Sequence, residues 1–383
     1  MIIFFDNLLG RGTAAAALLL LLTACSSGNN DAPADIAAPP ADTPPMTASD
    51  AFEELYGQGI DRYLGVFAPM TTEQPATGVT TYTFDGSSGG PMCFTGNTFG
   101  MSTRDGTGSE LMIFLQGGGV CSPNGCEAVE AAEPLVPPNF GILSALDASN
   151  PTSDFNVAYL PYCDGSLWMG DREVDSDGDG SSDRFFRGVQ NLSASLDVIV
   201  RAYPAPSKIL LTGNSAGGFG THPALPLVRK LYPDVPIDLV NDSGVGISRE
   251  GAQDILNDYW NAWHFYPGSC ETCIGDDGNL TDYHRYQLAE DANMRMGFIS
   301  TKRDAVVTVD SGSLDQDTFE RELLAAIAEL NEAYPNRFQS LIADGEGHTF
   351  LIRNFDQAIA GITVRQWMAD MLSQSDNWIS RSD

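Results

Sequence analysis

After residue 50 the chain alternates short apolar runs with longer amphipathic stretches, and this pattern predicts strands joined by helices. Residues 111–115 (LMIFL) read as a buried strand and are followed by Gln116 and three glycines. Residues 155–160 (FNVAYL), 209–211, 237–240, 296–299 and 338–342 repeat the apolar pattern. Between them, Val189, Leu192, Leu196, Ile199 and Val200 fall on one side of a helix predicted over 189–203. Further helices are predicted over 216–231, 319–334 and 362–372. Short strands with helical connections imply the α/β class, a mostly parallel central sheet with helices on both faces. No internal repeat and no later linker is visible, so 51–383 is expected to be one catalytic domain.

The chain begins differently. Residues 14–22 are an apolar run too short to span a bilayer. They end in Leu22-Thr23-Ala24-Cys25, which resembles the bacterial lipobox. Residues 1–24 are therefore expected to be a lipoprotein signal peptide, with Cys25 the lipidated first residue of the mature chain. A plain signal peptide with an incidental cysteine is the alternative. Residues 25–50, rich in Ala, Pro, Asp, Gly and Asn, read as a flexible tether to the membrane. The expected location is the cell envelope, and Ser26 after Cys25 favours the outer membrane.

Composition narrows the partners. With 20 basic against 51 acidic residues, the net charge is −31, which excludes electrostatic binding to nucleic acid or to an anionic membrane surface. Six cysteines remain beyond Cys25, an even number that favours disulfides in an exported protein. Cys121 with Cys126 and Cys270 with Cys273 would close local loops, leaving Cys93 and Cys163 for a longer bridge. Cys270 and Cys273 also have zinc-ligand spacing, but no second such pair lies nearby.

Chemistry enters at Gly213-Asn214-Ser215-Ala216-Gly217, a G-x-S-x-G pattern between a predicted strand and a predicted helix. Composition alone would give about 0.3 such patterns in a chain of this length, so the context carries the weight. A sharp strand-to-helix turn lifts a serine hydroxyl above the sheet edge, beside the N–H groups of the helix start. That hydroxyl needs a base. Of four histidines, His222 is read as pointing away from the turn, His264 as packed among aromatics and His284 as part of a polar loop. His348 lies in a loop after the last predicted strand, where the chain order Ser, acid, His of an α/β-hydrolase puts the base. Asp304, just past the strand ending at Ile299, is the expected acid, and Asp242 is its rival. The glycines after 111–115 suit an oxyanion loop, with N–H groups expected from Gly118, Gly119 and Ala216.

These segments together resemble the pectin acetylesterase/Notum family of the α/β-hydrolase superfamily. Phe114-Leu115-Gln116-Gly117-Gly118-Gly119-Val120-Cys121 matches the family's strand and oxyanion loop. Tyr162-Cys163-Asp164-Gly165, Gly170-Asp171, Phe186-Arg187-Gly188, Asn214-Ser215-Ala216-Gly217-Gly218 and Asn241-Asp242-Ser243-Gly244 follow in the family's order. Asp304 and His348 occupy its acid and base places. The resemblance implies a carboxylic-ester hydrolase with no catalytic metal or organic cofactor. Known members remove acetyl groups from plant pectin or a fatty acyl group from a signalling protein. This chain departs from them at Gln116, where members often carry Glu, at Gly119-Val120, where an aromatic residue is common, and in lacking a cysteine in the histidine loop.

The expected substrate is thus an acylated polysaccharide or small acyl ester, acted on by a monomer. A deacylase of longer chains and a non-catalytic glycan-binding lipoprotein are the alternatives. Separately, Asp175, Asp177, Asp179 and Asp183 have the alternate spacing of a structural calcium loop, although Phe186 stands where an EF-hand would place its bidentate Glu. A solvated acidic turn is the other reading.

Overall fold

In the computed structural model the described residues are 51–248, 251–274, 278–310 and 314–383. They fall within one compact unit, Pro44–Asp383. The expected signal peptide, Cys25 and the tether lie outside the described residues.

A ten-stranded sheet organises this unit. Its strands are β1 (Pro69–Ala76), β2 (Val79–Phe84), β3 (Gly100–Arg104), β4 (Leu111–Leu115), β5 (Asn156–Leu160), β6 (Ile209–Asn214), β7 (Ile237–Asp242), β8 (Met294–Thr301), β9 (Phe338–Ala343) and β10 (Arg381–Ser382). The order across the sheet is β1-β2-β3-β5-β4-β6-β7-β8-β9-β10. Pairing is parallel from β5 through β10 and antiparallel among β1, β2, β3 and β5. The longer helices among the described residues are α1 (Gly188–Ala202), α2 (Ala216–Leu231), α3 (Thr281–Glu290), α4 (Gln316–Ala333) and α5 (Val364–Leu372).

Side-chain alternation along the strands divides the core in two. Leu111, Ile113, Leu115, Leu211 and Leu239 pack with residues of α1 to α4. Met112, Phe114, Leu210, Val240 and Leu341 pack on the other face with Val364, Trp367 and Met371 of α5. Helices therefore cover both faces, α1 to α4 on one side and α5 on the other. Apolar residues at both parities explain why these strands read as continuous hydrophobic runs.

The candidate residues Ser215, Asp304 and His348 follow the C-terminal ends of the parallel strands. β6 and β7 pair in register up to Asn214 opposite Asp242, so the turns that follow them leave the sheet side by side. Three disulfides, Cys93–Cys163, Cys121–Cys126 and Cys270–Cys273, join the six expected cysteines in the expected pairs. No helix among the described residues is long and apolar enough to cross a membrane.

Candidate active site

Ser215 stands at the junction of β6 and α2 with φ 55° and ψ −123°, a conformation that L-residues hold only when their surroundings impose it. Its N–H donates to the Asp242 carbonyl at 2.7 Å, and its carbonyl accepts from the Phe219 N–H at 3.1 Å. Gly217 makes the turn possible: a Cβ there would lie 2.0 Å from the Leu115 carbonyl oxygen, so only glycine lets α2 start this close to β4.

His348 and Asp304 arrive on the loops after β9 and β8. Asp304 is fully buried, and its Oδ2 lies 2.7 Å from His348 Nδ1. Its Oδ1 accepts N–H groups from Val306 and Val307 at 3.0 and 3.2 Å, which fixes the carboxylate. An ionised carboxylate only accepts, so Nδ1 carries a proton, and in the neutral imidazole Nε2 is the nitrogen with the lone pair. Ser215 and His348 line the same cavity. Within the described residues Nε2 is buried without a hydrogen-bond partner, Ser215 Oγ included. Such contacts are often open in free enzymes and tighten when substrate binds.

Asp242, the rival acid, does something else. Its carboxylate accepts the Phe350 N–H at 3.0 and 2.8 Å and the Leu351 N–H at 2.8 Å, all on the loop just beyond His348. Burial pushes this carboxyl up to about 6, against the pull of those N–H groups and of His348. Ser243 donates to Asp242 Oδ1 at 3.3 Å and accepts the Thr349 N–H at 3.0 Å. Asn241 in turn binds the carbonyls of Gly218 and Gly244 at 3.0 and 2.7 Å. The Asn241-Asp242-Ser243-Gly244 turn thus clamps both α2 and the histidine loop.

Of the expected oxyanion donors, Gly119 and Ala216 line the cavity. Gly119 has φ +83°, and a Cβ there would meet the Glu127 carbonyl oxygen at 2.3 Å, because the chain returning from the Cys121–Cys126 hairpin packs on it. Gly118 sits behind this wall, its α-carbon close to Val129 and Tyr162 and its carbonyl accepting the Val129 N–H at 2.8 Å.

The other histidines stay apart from this cavity. His284 belongs to α3 and is buried, not in a polar loop: a polar helix sequence hides one side chain that reaches the core. It packs on His222 of α2 with ring centroids 4.6 Å apart. His222 Nε2 lies 3.3 Å from the Gly244 carbonyl and His284 Nε2 3.1 Å from that of Val245. Burial lowers both, His222 to about 4. His264 is packed as expected, and burial lowers it to about 3.

The cavity measures about 350 Å³ and is walled mainly by apolar side chains. Leu167, Met169, Phe219, Ile247, Leu256, Trp260, Tyr266 and Leu280 form most of it, while Glu127 and Asn124 are exposed on its lining. Buried Asp164, raised to about 6 by desolvation, shapes one side: its Oδ1 accepts N–H groups from Ser166 and Trp168, and Leu167 between them takes φ 57°. The aromatic stretch 259–266 read as packing, yet Trp260 and Tyr266 border the cavity. Nothing in its spacing marks that role, because the segment follows no helix or strand period.

In the acidic loop, carboxylates of Asp175, Asp177 and Asp179 lie within 4.8 Å of one another. Asp183 is turned to Ser176, whose N–H and hydroxyl it accepts at 2.8 and 2.6 Å.

A family model described as Pectinacetylesterase matches residues 72–254, which include the glycine loop, the serine turn and the Asn241–Gly244 turn. Over this stretch the chain is similar to the pectin acetylesterase/Notum family. Among relatives, it is 30% identical over 144 residues to the palmitoleoyl-protein carboxylesterase NOTUM of Schmidtea mediterranea, covering 33% of this chain and 26% of that protein. It is 27% identical over 165 residues to the palmitoleoyl-protein carboxylesterase notum2 of Xenopus laevis, covering 40% of this chain and 33% of that one. The match therefore spans about a quarter to a third of the length of these relatives. A crystal structure of the Wnt deacylase Notum from Drosophila superposes with a TM-score of 0.56 at 18% identity, over 78% of this chain and 95% of that one. This likeness establishes the α/β-hydrolase fold.

Proposed function

We propose that this chain is a member of the pectin acetylesterase/Notum family and a serine carboxylic-ester hydrolase in which Ser215 is the nucleophile, His348 the general base and Asp304 its orienting acid. The reading rests chiefly on one geometry: Asp304 holds Nδ1 of His348 at 2.7 Å while the opposite nitrogen shares a cavity with Ser215. Ser215 Oγ attacks the acyl carbonyl carbon as its proton passes to Nε2. N–H groups of Gly119 and Ala216 receive the developing oxyanion. Nε2 then protonates the departing alcohol, leaving an acyl-enzyme. Water, deprotonated by the same nitrogen, attacks that ester and releases the carboxylic acid and free Ser215.

The cavity favours an acyl chain longer than acetyl. At about 30 Å³ per heavy atom, its 350 Å³ accommodates about twelve carbon-sized groups, and its walls are mainly apolar. Release of acetyl from a polysaccharide is the second reading, favoured by the description of the matching family model. A series of nitrophenyl esters separates them: kcat/KM should climb from acetyl to chains of about six to ten carbons. A maximum at acetyl would overturn the longer-chain reading. Fluorophosphonate should label the protein at Ser215 and fail on Ser215→Ala; labelling of that variant would overturn the nucleophile.

For placement, the three disulfides suit an oxidising compartment outside the cytosol. Anchoring through a lipid on Cys25 belongs to the same proposal, and metabolic labelling with a fatty-acid analogue, lost in Cys25→Ala, tests it.

A further inference from the structure

Resting on the ester-hydrolase reading, we infer that Asp242 is a positioning residue for catalysis, the single residue that registers the general base against the nucleophile. Three observations carry this. Its main-chain carbonyl receives the Ser215 N–H at 2.7 Å, so it fixes the backbone of the nucleophile. Its carboxylate receives the Phe350 and Leu351 N–H groups, and its neighbour Ser243 receives that of Thr349. Three consecutive N–H groups directly after His348 are thereby held from one turn. Finally, the segment from Gly347 to Phe350 has no helix or strand hydrogen bonding of its own, and Thr349 lies at φ 64°. A loop without regular structure keeps a left-handed residue only if outside contacts impose it.

Asp242 does not orient the imidazole itself, since Asp304 already occupies Nδ1. Nor is it a surface anchor. It is fully buried at the end of β7, level with Asn214 across the sheet, on a strand whose whole length is buried. The carboxylate thus ties a loop without regular structure to a fully buried strand of the central sheet, a role that geometry alone specifies. The titratable group facing it is His348. A carboxamide can serve the same purpose: its carbonyl oxygen would take Phe350 and Leu351 while its amide donates to Ser243 Oγ.

The test compares Asp242→Ala, Asp242→Asn and Ser243→Gly with Ser215→Ala, using a nitrophenyl ester and thermal melts. Misplacement of a catalytic group by about an ångström costs about 100-fold in rate. Asp242→Ala should therefore lose about 100-fold in kcat with KM within about twofold, and Asp242→Asn should recover most of that loss. Should Asp242→Ala not fold, Ser243→Gly decides, with an expected loss of about tenfold in kcat from freeing Thr349 alone. Three results overturn the inference while Ser215→Ala is inactive: unchanged kcat in the deciding variant, an equal rise in KM, or an asparagine variant no better than alanine. Full activity in Ser215→Ala would instead overturn the underlying reading of the site.

Discussion

Trp260 donates its indole N–H to the carbonyl oxygen of Cys121 at 3.1 Å, and both residues line the cavity. The bond joins the segment before α3 to the hairpin that follows the oxyanion loop. It therefore helps set the width of the cavity from residues other than Ser215, Asp304 and His348. Trp260→Phe keeps most of the ring and removes the donor, leaving a buried carbonyl unpaired at about 1–3 kcal/mol. The expected result is a rise of about fivefold or more in KM for a medium-chain nitrophenyl ester with kcat little changed, measured by steady-state kinetics.

The Asp304–His348 contact predicts a different kinetic signature. Asp304→Asn cannot stabilise the imidazolium that forms during attack and can favour the wrong tautomer. Turnover should fall by about ten-thousandfold while substrate binding persists. Single-turnover kinetics should show the loss in the acylation step.

The buried pair His222 and His284 predicts acid sensitivity of the fold. Burial lowers both below their ordinary value of 6.5, so the unfolded chain takes up protons first as pH falls. Stability should be intact above about 6.5 and decline toward about 4, by up to about 1.4 kcal/mol per pH unit for each histidine. Asp164 and Asp242, raised to about 6, act in the opposite sense below that pH. The pair's share is therefore read as the difference between the melting temperatures of the unaltered protein and of His284→Gln across that range. His284→Gln, which retains a donor for the Val245 carbonyl, should flatten the decline.

Charge predicts substrate preference on the alcohol side. At −31, with Glu127 on the cavity lining, the protein repels polyanions at low salt. Acyl release from a neutral glycan should exceed that from de-esterified pectin, and the gap should narrow as salt rises to 0.1 M and above, where the Debye length falls to about 10 Å. Faster low-salt turnover of the anionic polymer would contradict this.

Much of this architecture was legible in sequence, for identifiable reasons. Strands such as Leu111–Leu115 are buried on both faces and read as unbroken apolar runs, and α1 shows its helical stripe. Ser215, Asp304 and His348 stand at strand ends, where this fold puts function. The antiparallel strands β1 to β3 were not legible: β1 and β2 are threonine-rich and at least partly exposed, and β3, though buried, is short and has Met101 as its one large apolar residue. The work of Asp242 was equally hidden: a carboxylate after a strand looks the same whether it faces an imidazole or a row of peptide N–H groups. The cavity walls came from loops, whose side chains obey no period, so its size and apolar character emerged only in three dimensions.

The backbone of Ser215 has one more consequence. At φ 55° the backbone is strained at the residue proposed as nucleophile. Replacing that serine with glycine, which tolerates such angles freely, should abolish turnover yet leave a protein that melts at an equal or higher temperature. Activity and robustness are set against each other at a single α-carbon.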